Sequence, residues 1–261
     1  MVTLANPARA RMEKNQAALG IGIRHSRHVE IAGAMATSGF DFLFIDLEHS
    51  SMSLDVCSQI SAAAIHAGIA PLVRVPEGDL NLAARVLDSG ALGIIMPHVE
   101  SADEARAIVR RQKFPPKGER STSGAMAQFS YDASIPAKDG AAAINDGLLV
   151  VVMLETENAI AKADEIAAVP GVDVLMIGCG DLTASLGLQG QFEHERIMRA
   201  FDTVLAACAK HKKWPGMGGV GTESAMANYI KRGIRFVLAG NDLGLMTAGA
   251  TQRTKALRGK E

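Results

Sequence analysis

The chain has 261 residues with a formal net charge of -1, 48% hydrophobic and 4% aromatic residues, a length that buries a sizeable core and a composition that excludes a basic nucleic-acid face or a base-stacking platform. No apolar run approaches the ~20 residues of a membrane span, and residues 1–20 lack the apolar centre of a secretory signal. Cys57, Cys179 and Cys208 are widely spaced and form no CxxC pair, which fits reduced thiols in a cytoplasmic protein better than a disulfide framework.

In chain order, short apolar runs alternate with helical stretches. Strands are predicted over residues 20–24 and 41–46, a helix over 54–67, a strand over 71–75, a helix over 81–88, a strand over 93–97 and a helix over 102–112. After residues 114–147 the rhythm resumes: strand 148–155, helix 159–168, strand 172–178, helix 195–210, strand 214–218, helix 223–232 and strand 234–239. Eight strands, most followed by a helix, predict an α/β chain folded as a single (β/α)8 TIM-type barrel over residues 1–261. Central runs such as FLFI and VLMI lack polar alternation, as strands covered on both faces do. The open doubly wound sheet is disfavoured, because no GxGxxG follows a strand and opens a helix. The Pro- and Gly-containing excursion at 114–147 is expected to be a loop with a short helix, over the barrel mouth or at a subunit contact.

A parallel barrel places its active site at the C-terminal ends of the strands. There the chain carries Asp46, Glu48 and His49 after strand two, Arg74 at the end of strand three, Glu155 at the end of strand five and Asp181 after strand six. Glu155 and Asp181 suit a hard divalent cation, which takes one or two protein carboxylates and fills its remaining positions with water and substrate oxygen. The alternative for each acid is a helix cap or a pairing with a basic neighbour. Arg74 offers a permanent positive charge to a developing enolate or a carboxylate, or else pairs with Asp46 or Glu48 inside the barrel. His49 is a candidate proton shuttle, with Asp46 as the carboxylate that orients its ring. The segment GCGDLTASLG offers free N–H groups at a helix start as an anion site, and GMGGVG after strand seven is a candidate phosphate loop. Arg24, His25, Arg27 and His28 follow strand one, either touching the distal end of a substrate or forming a solvated loop, and His98 ends strand four.

DFLFIDLEHS, APLVRVP, PPKGER, the ETENAI block and IGCGDLTASLG, in that order, resemble the HpcH/HpaI family of metal-dependent class II pyruvate aldolases, which includes 2-dehydro-3-deoxyglucarate and 4-hydroxy-2-oxoheptanedioate aldolases. The similarity spans residues 20–242. It implies a barrel assembled into homo-oligomers, commonly hexamers, with the last helix exchanged between subunits. It also implies Glu155 and Asp181 as ligands of a divalent metal (Mg²⁺, Mn²⁺ or Co²⁺), without an organic cofactor. By the same resemblance Arg74 sits over the pyruvate keto oxygen, His49 supported by Asp46 serves proton transfer, and the N–H groups of Gly180 and Asp181 receive the pyruvate carboxylate. Three positions depart from the family pattern: Met153 stands where Gln is frequent, Gly178-Cys179 replaces Gly-Pro, and Leu47 replaces a small residue.

The implied reaction is reversible aldol cleavage of a 4-hydroxy-2-oxo acid to pyruvate, or a related 2-oxo acid, and an aldehyde. No Lys lies in the strands predicted between residues 41 and 178, which disfavours a Schiff-base route. Rival readings are oxaloacetate decarboxylation or acyl-CoA ester cleavage through the same enolate, a phosphosugar isomerase using GMGGVG, and a non-catalytic 2-oxo acid binding protein. The expected partners are a small 2-oxo acid and an aldehyde, with no nucleic acid and no membrane.

Overall fold

The computed structural model describes residues 2–122, 124 and 126–259. Eight parallel strands close into one barrel in sequence order: β1 Ala18–Ile23, β2 Phe42–Asp46, β3 Ala70–Arg74, β4 Gly93–Met96, β5 Leu149–Leu154, β6 Val174–Gly178, β7 Trp214–Gly218 and β8 Phe236–Asn241. The helices are α1 Pro7–Glu13, α2 Glu30–Thr37, α3 Leu54–Ala67, α4 Leu80–Asp88, α5 Ala102–Gln112, α6 Ala137–Gly147, α7 Glu157–Ala161, α8 Ala163–Ala167, α9 Cys179–Ser185, α10 Glu195–His211, α11 Glu223–Arg232 and α12 Asp242–Arg258. The barrel expected from the strand–helix rhythm is the barrel observed.

Strand periodicity sorts the apolar residues into two cores. Phe42, Phe44, Leu72, Val151, Met153, Val174, Met176 and Phe236 fill the interior, while Leu43, Ile45, Val73, Val150, Val152, Leu175 and Ile177 face the helices. Both sets are buried, so the strands read as continuous apolar runs. The floor is closed by α1, whose Asn6 caps its own helix at Arg9 N and donates Nδ2 to Leu92 O and Gly147 O. Ala8 and Met12 of that helix join the interior core.

The strand–helix reading missed α1 and α2, whereas α6 is the short helix expected within 114–147 and α9 the helix expected to start at GCGDLTASLG. The helix predicted over 159–168 is two short helices, α7 and α8. The described residues of the excursion at 114–147 are not over the mouth. Gln128 donates to Leu87 O and Ala91 O, where α4 turns back into β4, and Asn145 pairs with the backbone of Phe114. Both contacts lie at the end of the barrel where strands begin. A connection that runs from a helix to the next strand is anchored there by topology.

The interior tolerates little added volume. A Cβ on Gly20 would lie 2.0 Å from Phe42 Cε2, and that ring stacks on Phe236 with centroids 4.3 Å apart. We expect Gly20→Ala to destabilise the protein by about 1–3 kcal/mol in urea denaturation. A variant as stable as the wild type would show that the Phe42 ring has room to move.

Candidate active site

The inward positions of the strands carry the site. On β2 they are Phe42, Phe44 and Asp46; on β3, Ala70, Leu72 and Arg74; on β5, Val151 and Met153, followed by Glu155; on β6, Val174, Met176 and Gly178. Each strand is apolar inside until its last inward residue, which is polar or glycine at the mouth. Of these, Phe44, Arg74, Met153, Glu155, Met176 and Gly178 line a cavity of about 140 Å³ together with Arg24, His49, Gly180 and Asp181, and Phe44, Met153, Met176 and Leu238 are its apolar floor. Met153 therefore packs beneath the polar groups, where a Gln would have offered an amide.

Asp46 is fully buried and joins two arginines. Its Oδ1 and Oδ2 accept from Arg74 Nε at 3.0 Å and Arg74 Nη2 at 2.6 Å, and Oδ2 also accepts from Arg24 Nε at 2.7 Å. Residues Asp46 and Arg74 are register partners on adjacent strands, so the bidentate geometry follows from the sheet. Burial alone would push the Asp46 carboxyl up, but the Arg74 hydrogen bonds and charge, the His49 N–H and the Arg24 charge hold it below its ordinary value. Arg74 Nη1 lies 2.9 Å from Glu48 Oε2, and its guanidinium stacks over Phe44 at 5.3 Å. Both ion pairs considered for Arg74 from sequence are thus present, and Nη1 and Nη2 each keep one further N–H for a ligand.

One expected role is corrected here. Asp46 does not orient the His49 ring: it accepts the backbone N–H of His49 at 3.0 Å and that of Glu48 at 3.1 Å. The imidazole is 56% exposed, with Nε2 3.6 Å from Glu48 Oε2. Both oxygens of Asp46 already serve guanidinium groups, so Asp46 is a positioning residue for Arg74 and Arg24.

Across the mouth, Glu155 is 2% exposed. Its Oε2 accepts the His98 N–H at 2.9 Å and lies 3.2 Å from His98 Nδ1. To deliver that N–H, His98 adopts φ 52°, a left-handed conformation that costs roughly 1–2 kcal/mol for a residue with a Cβ. Gly178 is required beside it, because a Cβ there would lie 2.3 Å from Glu155 Oε1. Burial pushes the Glu155 carboxyl up to about 7; the His98 N–H and ring oppose the shift, and the neighbouring Asp181 carboxylate adds to it.

Two carboxylates therefore face one another with no Lys or Arg pairing to either among the described residues. That donor set fits a hard divalent cation bound by two protein carboxylates, with water and substrate oxygens completing its shell. No group of three or more His, Cys, Asp and Glu that could hold a metal is present among the described residues, so a bound ion would rely on that outside ligation. Asp181 lies in the first turn of α9, whose N-cap Gly178 supplies no side-chain acceptor. The N–H groups of Gly180 and Asp181 thus stand at the cavity edge without the acceptor that an interior turn provides.

Two glycines of β7 have a packing explanation. A Cβ on Gly216 would meet Phe236 at 3.2 Å, and one on Gly218 would meet Met176 Cε at 2.4 Å. Gly216 and Gly218 thus admit core side chains, while Gly219, at φ 80°, lines the cavity. Sequence reasoning underrated Arg24 and His98. Arg24 continues the inward series of β1, and this period-two signal was available; the backbone turn at His98 carried no such signal.

A closed parallel barrel with an acid pair and a buried arginine at its C-terminal mouth has the site placement of a barrel enzyme. The comparisons agree: the chain belongs to the HpcH/HpaI aldolase/citrate lyase family, which matches residues 25–248. It is 37% identical over 255 residues to the 4-hydroxy-4-methyl-2-oxoglutarate aldolase tasA of Hapsidospora irregularis, covering 97% of this chain and 94% of that protein. It is 33% identical to the hydroxypyruvate/pyruvate aldolase of Paraburkholderia phytofirmans, covering 99% and 100%. The crystal structure of an HpcH/HpaI aldolase from Desulfitobacterium hafniense superposes with a TM-score of 0.91 at 26% identity, covering 97% of each chain. Family membership implies carbon–carbon lyase chemistry. Among the described residues no helix is long and apolar enough to cross a membrane.

The raised Glu155 pKa has a stability consequence. Between its unfolded value near 4.5 and about 7, the folded protein holds a proton that the unfolded chain has released. Stability of the metal-free protein should therefore fall as pH rises through that window. Glu155→Gln should remove this fall in denaturation of chelator-treated protein; an unchanged pH profile would show that Glu155 is not the titrating group.

Proposed function

We propose that this protein catalyses the reversible, divalent-cation-dependent cleavage of a 4-hydroxy-2-oxo acid into pyruvate, or a related 2-oxo acid, and a carbonyl acceptor. The observation that carries the reading is the buried Glu155 carboxylate facing Asp181 with no Lys or Arg paired to either among the described residues, in a small cavity that also holds Arg74. The aldolase names of the relatives in Hapsidospora irregularis and Paraburkholderia phytofirmans support it.

Glu155 and Asp181 would hold the ion, Mg²⁺, Mn²⁺ or Co²⁺. When bound, such a cation supplies Lewis-acid polarisation of the 2-oxo acid carbonyl. Arg74 donates its remaining N–H groups toward the keto oxygen. Negative charge grows there as the C3–C4 bond breaks, so this interaction strengthens along the reaction and lowers the barrier. Asp46 and Glu48 fix the guanidinium plane, which spares the reaction the cost of orienting it. The Gly180 and Asp181 N–H groups receive the 2-oxo acid carboxylate. His49, exposed at the rim, takes the C4 hydroxyl proton directly or through a water and exchanges it with solvent.

The assembled protein is proposed to be a homo-oligomer, a hexamer by family resemblance. In support, α12 buries none of its side chains in this chain and exposes Leu245, Met246 and Leu257. Cys57, Cys179 and Cys208 are buried, unpaired thiols, which supports a reducing, cytoplasmic compartment.

The test is deuterium incorporation into the pyruvate methyl group in heavy water, followed by NMR with Mg²⁺ or Mn²⁺ and then with excess chelator. The proposal expects cation-dependent exchange abolished by chelation. No exchange with any divalent ion, in folded protein shown to bind that ion, would contradict it. Arg74→Lys should slow the exchange about 10²-fold or more while Mn²⁺ affinity changes little. Exchange at the wild-type rate would remove Arg74 from the enolate role.

A further inference from the structure

The mouth has two poles. Glu155 and Asp181 follow β5 and β6, while Arg24 continues from β1, which is diametrically opposite β5 in a closed eight-stranded barrel. Arg74 lies between them on β3. A short substrate held by its 2-oxo acid end near β5 and β6 therefore extends its other end toward β1.

Arg24 is the cation there with donors to spare. Its Nε is bound to Asp46 Oδ2 at 2.7 Å, and among the described residues no hydrogen bond engages Nη1 or Nη2. Arg74, by contrast, has all three nitrogens on carboxylate oxygens. The Arg27 side chain is turned to the loop, with Nη1 on Arg24 O and Ser26 O and Nη2 on Ser51 Oγ.

The backbone beneath Arg24 is fixed. Asp242 accepts N–H groups from Arg24, His25 and Ser26 at 3.3, 2.9 and 2.7 Å. A guanidinium anchored at Nε and at its backbone, on a side chain that lines a small cavity, is preorganised for bidentate capture of a carboxylate. The opposite face of that cavity is acidic, so a substrate with an anion at each end is oriented in one direction only.

On the aldolase reading, we infer that Arg24 is a specificity-determining residue that binds an anionic group on the acceptor, so that the cleaved substrate is a 4-hydroxy-2-oxo acid bearing a second carboxylate. The acceptor is then a short oxo acid rather than a neutral aldehyde. Phosphate offers the same chemistry to a guanidinium, but the cavity of about 140 Å³ favours the smaller group.

The test measures kcat/KM in the condensation direction, with pyruvate as donor, for three acceptors of similar length: an oxo acid, a neutral aldehyde and a phosphorylated aldehyde. Wild type should prefer the oxo acid. Arg24→Ala should lower the ratio of oxo acid to neutral acceptor at least 50-fold, mostly through acceptor KM, and Arg24→Lys should restore part of it. An unchanged ratio, or a wild type that prefers the neutral acceptor, would overturn the assignment; preference for the phosphorylated acceptor would overturn the carboxylate. Deuterium exchange into pyruvate alone separates the remaining cases. If Arg24→Ala slows exchange by as much as condensation, Arg24 serves the donor's own carboxylate and the inference fails. If wild type shows no exchange, the aldolase reading itself fails.

Discussion

Burying an ionised carboxylate costs several kcal/mol of lost hydration, and the mouth of this barrel is arranged around that cost at Glu155. The residue ends an apolar strand and is 2% exposed. One oxygen is met by a His98 N–H that the chain supplies only by entering a left-handed conformation. The other occupies space left by the missing side chain of Gly178. Asp181 then adds a second negative charge where a cation would be needed. Strain at His98, a glycine at 178 and an unfavourable carboxylate pair are separate local features, and one bound divalent cation would account for all of them.

Asp46 organises the other half of the mouth. Buried and held ionised by Arg74 and Arg24, it fixes two guanidinium groups that share its Oδ2. Arg74 lies over Phe44 near the centre, and Arg24 stands at the far wall. Charge thus runs across the cavity from acidic to basic, above an apolar floor of Phe44, Met153, Met176 and Leu238. Such a floor excludes water and strengthens every polar interaction above it.

The fold was legible because both core sets of a parallel barrel are apolar, so each strand is a short continuous run and the helices between them show amphipathic stretches. Asp46, Arg74, Glu155 and Asp181 stood out as polar residues breaking or ending such runs; the structure brings Arg74, Glu155 and Asp181 to one cavity and buries Asp46 behind Arg74. What sequence did not disclose was pairing. Two arginines compete for Asp46 through register and loop geometry, which leaves the His49 ring with Glu48 instead. His98 was hidden for a related reason: its backbone, not its side-chain type, makes the shorter contact to Glu155. Of the two places expected for the 114–147 excursion, the mouth is ruled out for its described residues, because its position between α5 and β5 ties it to the barrel floor.

The account stands or falls on whether the Glu155–Asp181 pair is a cation site. Titration of chelator-treated protein with Mn²⁺, followed by electron paramagnetic resonance at constant pH, measures this without assuming a substrate. It predicts one Mn²⁺ per chain for the wild type and affinity reduced at least 10²-fold by Glu155→Gln and by Asp181→Asn, with far-ultraviolet circular dichroism unchanged. Mn²⁺ binding by folded Glu155→Gln at wild-type affinity would contradict the account and return the buried carboxylate to a purely structural role.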